Sequence, residues 1–171
     1  MVADTTAVIR FLAADPRFDP ARIALLGYSR GGTVAATVAG GNPAVAALVS
    51  WSGPIADGTD ENPDAHDLAR AAGHVVVDGW DFSLVWFDSI QASHALTDVA
   101  AYRGPELAVV GDRDGVVGPS VSENFIAVSK SPDKTLHVVV GADHGMGAGT
   151  PQAAETAAVT VDWLAGRLLA R

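Results

Sequence analysis

Residues 23–41 read Ile-Ala-Leu-Leu-Gly-Tyr-Ser-Arg-Gly-Gly-Thr-Val-Ala-Ala-Thr-Val-Ala-Gly-Gly. Ile23 to Leu26 is a short apolar run that Gly27 ends, the pattern of a strand buried on both faces. The small residues after Gly31 read as a helix that Gly40-Gly41 closes. Between the two, Gly27-Tyr28-Ser29-Arg30-Gly31 fits the pattern G-x-S-x-G. A chain of this composition carries that pattern by chance about one time in ten, so its setting decides the reading. A strand enters and a helix leaves, and the turn between them is too sharp for side chains at the flanking positions. Glycines there relieve the crowding and leave Ser29 above the strand ends. The helix N-terminus adds N–H groups and a positive dipole end, so the backbone N–H of Arg30 is the candidate oxyanion donor. The bland alternative is a tight turn whose serine caps the helix.

The same alternation continues outward. Thr5 to Ala14 carries Val8, Ile9, Phe11 and Leu12 at helical spacing and stops at Asp15-Pro16. Val45–Val49, Leu107–Val110 and Leu136–Val140 read as three further buried strands. Pro119 to Val128 and Pro151 to Leu169 read as helices, the second capped by Thr150. Strands alternating with helices predict an α/β fold with a mainly parallel sheet of about four strands. The 171 residues make one domain, residues 1–171. Ser50 to Arg103 is longer than a crossover needs and reads as an inserted lid or cap, residues 50–103. Within it, Val75–Val77 and Trp80–Trp86 read as a hairpin turning on Asp78-Gly79.

A serine hydroxyl becomes a nucleophile only beside a base, and the base needs an orienting carboxylate. The third strand runs into Gly111-Asp112-Arg113-Asp114-Gly115-Val116-Val117, and the fourth into Gly141-Ala142-Asp143-His144-Gly145. Both stretches lie past the carboxyl ends of strands, where open parallel sheets gather their sites. Ser29, an acid and His144 therefore follow one another in the order nucleophile, acid, base. His137 lies within a strand and reads as structural. His66, His74 and His94 fall in the insertion. A metal site from Asp64, His66 and Asp67 is weighed against a solvated acidic loop, and no metal is expected. Tyr28, Trp51, Trp80 and Trp86 are the candidate substrate-binding residues. The tryptophans, with Phe87, serve equally well as a lid's own small core.

Composition narrows the classes. The chain is 49% hydrophobic and 18% charged, which excludes a disordered polypeptide. A formal net charge of −9 argues against nucleic acid and anionic membrane surfaces as partners. There is no cysteine, so disulfides, thiolate metal sites and a cysteine nucleophile are out. The N-terminus has no apolar signal region and no stretch is long enough to span a bilayer, so the expected location is cytoplasmic.

Three segments, LLGYSRGG, GPELAVVGDRDGVV and VVVGADHG, resemble the α/β-hydrolase superfamily. AAYRGPELAVVGDRDGVVGP is similar to the small carboxylesterases of the cinnamoyl/feruloyl and dienelactone-hydrolase-like branch. The resemblance implies that Asp114, the fourth residue of G-x-x-D-x-x-V, is the acid rather than Asp112. It implies a serine esterase acting on a small-molecule ester without a cofactor. Family members place several strands before the segment that opens this chain. The expectation is therefore a truncated fold that lacks the loop giving a second oxyanion donor. An apolar edge strand at Ile23–Leu26, with Val159, Trp163, Leu164 and Leu168 partly uncovered, predicts a homodimer. The alternatives are an inactive binding or scaffold protein and one fragment of a two-chain hydrolase.

Overall fold

Apolar runs of five or six residues separated by helices order the computed structural model, which describes residues 1–58, 62–77, 79–147 and 149–169. In chain order the elements are α1 (Val2–Ala14), a 3-10 turn (Pro20–Arg22), β1 (Ala24–Tyr28), α2 (Arg30–Gly41), β2 (Ala47–Trp51), α3 (Pro63–Ala72) and β3 (His74–Val77). There follow β4 (Trp80–Ser83), α4 (Leu84–Gln91), α5 (Ala95–Val99), β5 (Glu106–Gly111), α6 (Pro119–Val128), β6 (Lys134–Val139) and α7 (Pro151–Leu168). They form two compact units, Met1–Ile55 with Ala95–Arg171, and Ala56–His94.

In the larger unit four strands pair in the order β1-β2-β5-β6, all parallel. This is the mainly parallel four-strand sheet with flanking helices that the alternation of runs predicts. Successive side chains of a strand face opposite sides, and here both sides are apolar. Leu48 and Ala108 pack with Ile9, Ala36, Val38 and Phe125 of the helices on one face. Ala47, Val49, Leu107 and Val109 pack on the other face with Trp163 of α7. β5 is buried along its whole length, as a central strand must be. β1 has one sheet neighbour, β2, among the described residues, and Leu26 on it is 47% exposed.

The small-residue helix closes at Gly40-Gly41 as expected, with Asn42 as its C-cap. One expectation is corrected on α7: Trp163 is buried, while Val159, Leu164 and Leu168 are partly exposed and pack against the same cluster. Arg167 lies 4.1 Å over the Trp163 ring and pairs with Asp133 through two bonds of 2.6 and 2.8 Å, pinning that helix to the start of β6.

The smaller unit has its own core, Ala65, Ala69 and Phe87 with Val75, Phe82, Leu84 and Trp86 around them. Its hairpin is shorter than expected. β4 ends at Ser83, and Leu84, Phe87 and Ile90 then recur at helical spacing, burying Phe87 and Ile90 from α4. Of the expected turn, Asp78 lies outside the described residues, and Gly79 has φ +82°. Residues 50–55 and 95–103 belong to the larger unit. No helix among the described residues is long and apolar enough to cross a membrane.

Candidate active site

The four parallel strands end on one edge of the sheet. The residues just past them are Ser29 after β1, Ser52 after β2, Asp114 after β5 and His144 after β6. Among the described residues, three that are not glycine have positive φ: Ser29 (49°), Ser52 (44°) and Met146 (55°). All three lie in these loops. Such conformations cost of order 1–3 kcal/mol each and persist only where the surroundings impose them.

At Ser29 the imposing geometry is the elbow. Its N–H donates to the Trp51 carbonyl at 2.8 Å, and its carbonyl accepts from the Gly32 N–H at 2.8 Å. A Cβ at Gly27 would collide with the Gly31 carbonyl, and one at Gly32 would lie 2.7 Å from Gly53 Cα. A Cβ at Gly31 would meet open space. The crowding that the pattern implies thus falls on Gly27 and Gly32, not on Gly31. Arg30 opens α2 directly after Ser29. The positive end of the α2 dipole therefore lies beside Ser29.

His144 bridges the other two. Its Nε2 lies 3.0 Å from Ser29 Oγ, and its Nδ1 lies 3.1 and 3.0 Å from the two Asp114 oxygens. Asp114 is buried, and Val116 and Val117 donate their N–H groups to its Oδ1 at 2.9 and 2.8 Å. Burial pushes the Asp114 carboxyl upward, but the Val117 N–H, His144, the Ser52 hydroxyl and the Val116 N–H outweigh it. The group is held below its ordinary value of 3.8. Asp114 is therefore an anion near neutral pH and can only accept. Nδ1 of His144 must carry the proton between them. In the neutral imidazole that leaves the Nε2 lone pair facing the Ser29 hydroxyl.

Asp112, the rival acid, faces elsewhere: its Oδ1 accepts the Gly141 N–H at 2.6 Å and steadies the start of the histidine loop. Tyr28 lies against His144, its hydroxyl donating to the His144 carbonyl at 2.9 Å. Trp51 is half-buried against α7, its Nε1 donating to Thr160 Oγ1 at 3.0 Å. Trp80 and Trp86 belong to the smaller unit; Trp80 is 72% exposed, and Trp86 packs 4.5 Å from Phe82 and 4.9 Å from Phe87. His66 is buried there, stacked on Phe87, with Nε2 3.1 Å from Asp88. His137 pairs with Glu155 of α7 at 2.8 Å.

Sequence reasoning missed Ser52 and Met146. Ser52 is buried; its hydroxyl donates toward Met146 Sδ at 3.2 Å and also acts on Asp114. Ser52-Gly53-Pro54 reads locally as an ordinary turn, and only the folded sheet brings it beside the acid.

The fold has counterparts among known proteins. The model of the prolyl oligopeptidase family matches residues 1–170. The chain belongs to that family. Solved structures share its fold, that of the α/β-hydrolases. A monoacylglycerol lipase of Paleococcus ferrophilus is 20% identical, with TM-score 0.75 over 97% of this chain and 74% of its own. The α/β hydrolase GrgF from Penicillium sp. sh18 is 17% identical, with TM-score 0.81 over 98% and 71%. Est1E from Butyrivibrio proteoclasticus is 19% identical, with TM-score 0.75 over 99% and 70%. Comparison with curated protein sequences gives no match. The prolyl oligopeptidase family member described here is thus a serine hydrolase of α/β-hydrolase type.

Proposed function

We propose that this protein hydrolyses small carboxylic esters through an acyl-enzyme on Ser29. The observation that carries the reading is the unbroken chain Ser29 Oγ, His144 Nε2, His144 Nδ1, Asp114, with every link between 3.0 and 3.1 Å. Ser29 Oγ attacks the ester carbonyl carbon while its proton passes to His144 Nε2. Asp114 holds the imidazole in the right tautomer and stabilises the imidazolium that forms. The developing oxyanion is met by the Arg30 N–H at the start of α2. The imidazolium then returns the proton to the leaving alcohol, which breaks the C–O bond. A water, deprotonated by the same nitrogen, attacks the acyl-enzyme and releases the acid and free Ser29.

The ester class is supported by the solved structures similar in fold, which include a lipase and Est1E, the latter also in complex with ferulic acid. A second reading, cleavage of peptide or acyl-amide bonds, is favoured by the family's name. Rapid-mixing kinetics on matched substrates separates them. The ester reading expects a p-nitrophenolate burst equal to the enzyme concentration with a short-chain or hydroxycinnamoyl p-nitrophenyl ester. It expects no comparable turnover of peptidyl p-nitroanilides. The reverse preference assigns a peptidase, and silence on both substrates favours a binding protein that keeps the constellation without the activity.

A further inference from the structure

We propose that Tyr28 is a positioning residue for the base, tying the histidine loop to the nucleophile elbow, rather than a substrate contact. The inference rests on the reading of Ser29 and His144 as nucleophile and base. Two hydrogen bonds join adjacent elbow residues to one histidine. The Ser29 hydroxyl faces Nε2 at 3.0 Å, and the Tyr28 hydroxyl donates to the His144 backbone carbonyl at 2.9 Å. One bond fixes the tip of the side chain and the other fixes its root. The Tyr28 ring also lies 5.4 Å from the imidazole at a tilt of 36°, so it limits rotation of that ring on one side.

The loop needs such a tie. It leaves β6 at Val139, and Gly141, Met146, Gly147 and Gly149 within it all have positive φ. Its remaining fastenings hold other residues. Asp112 accepts from Gly141, the Ala142 carbonyl accepts from the Arg113 N–H at 3.0 Å, and Ser52 reaches Met146. Tyr28 alone of these fastens the main chain of His144. Burial, then the charges of Asp114 and Asp143, raise the Tyr28 phenol above its ordinary value of 10.0. The hydroxyl therefore stays protonated and able to donate. Its one proton is committed to a main-chain oxygen, so the hydroxyl has no donor left for a substrate.

Tyr28→Phe removes the hydroxyl and keeps the ring; Tyr28→Ala removes both. The wild type is first labelled with a fluorophosphonate, so that the state of the serine is known independently. The tie predicts that Tyr28→Phe lowers kcat by about threefold to tenfold, the span of one lost neutral hydrogen bond. KM stays unchanged, and the factor is the same for acetyl, butyryl and aryl esters. Amide hydrogen exchange in residues 141–147 rises in Tyr28→Phe and rises further in Tyr28→Ala. A KM that rises by a different factor for each ester, with exchange unchanged, overturns the tie and restores Tyr28 as a substrate contact. Wild-type kcat and exchange in Tyr28→Phe overturn it as well. A wild type that neither labels nor turns over removes the serine-hydrolase reading instead, and faster exchange in Tyr28→Phe then leaves a loop tie with no base to position.

Discussion

Asp112 and Asp114 stand two positions apart in one loop, and only one of them meets the histidine. Local sequence offers both. Hydrogen-bond geometry separates them, because Asp114 collects two backbone N–H groups and His144 while Asp112 collects Gly141. Asp114→Asn should therefore cut kcat by about three to four orders of magnitude with KM little changed, since an amide no longer fixes the tautomer. Asp112→Asn keeps an oxygen for the Gly141 N–H and should hold kcat within a few-fold. Steady-state kinetics on the two variants checks both, and the reverse result would move the acid to Asp112. A second carboxyl tests burial rather than chemistry. Glu106, at the start of β5, is buried, and neither oxygen has a hydrogen-bond partner among the described residues. Burial pushes it up to about 7 from 4.5, and Ser129, Lys134 and Arg103 only moderate the rise. Below pH 4.5 it is protonated in both folded and unfolded states and adds no pH-dependent term. Between pH 4.5 and 7 the folded state holds a proton that the unfolded chain has lost, so stability falls as pH rises. Glu106→Gln should remove that slope, gaining at most about 3 kcal/mol at pH 8 over its effect at pH 4. Urea denaturation at the two pH values measures it. Ser52 and Met146 were not legible at this scale. Their contributions are a backbone angle and a long-range contact, and neither leaves a trace in the neighbouring residues.

At the scale of elements, the sequence pattern was readable wherever packing is two-sided. All four strands of the sheet fall on apolar runs, because a parallel strand covered on both faces has no polar position to break the run. Their ends moved. β6 starts at Lys134 rather than Leu136, since Lys134 and Thr135 pair with Glu106 and Leu107 through the main chain, to which hydropathy is blind. α6 begins at Pro119 as expected, because a proline at N1 is a backbone signal as well as a compositional one. The smaller unit was harder. Trp80 to Trp86 reads Trp-Asp-Phe-Ser-Leu-Val-Trp, which alternates at first and then turns apolar, so two and 3.6 residues per repeat fit almost equally well over so short a span. Burial of Phe87 and Ile90 decides for a helix after Ser83. That packing yields a prediction. Trp86→Ala opens a gap beside Phe82 and Phe87 and, from a partly buried position, should destabilise the smaller unit by about 1–3 kcal/mol. Trp80→Ala, at an exposed position, should stay within about 0.5 kcal/mol. Thermal unfolding followed by tryptophan fluorescence compares them. A change in ester selectivity on Trp80→Ala at unchanged stability would mark Trp80 as a substrate contact.

The whole molecule joins an ordered sheet to a free edge. β1 carries the nucleophile at its end and pairs on one side only among the described residues, with Leu26 and Tyr28 exposed. Unpaired N–H and C=O groups on an apolar edge strand favour association with another strand. We propose that a second copy takes that edge, and sedimentation at micromolar concentration should then give twice the monomer mass. A stable, active species at the monomer mass contradicts the dimer. Intact-mass spectrometry after treatment with a fluorophosphonate tests Ser29 as the nucleophile. One adduct per chain is expected, mapped to Ser29, absent in Ser29→Ala and formed orders of magnitude more slowly in His144→Ala. No adduct on the folded wild type, or an adduct that persists in Ser29→Ala, would contradict that role.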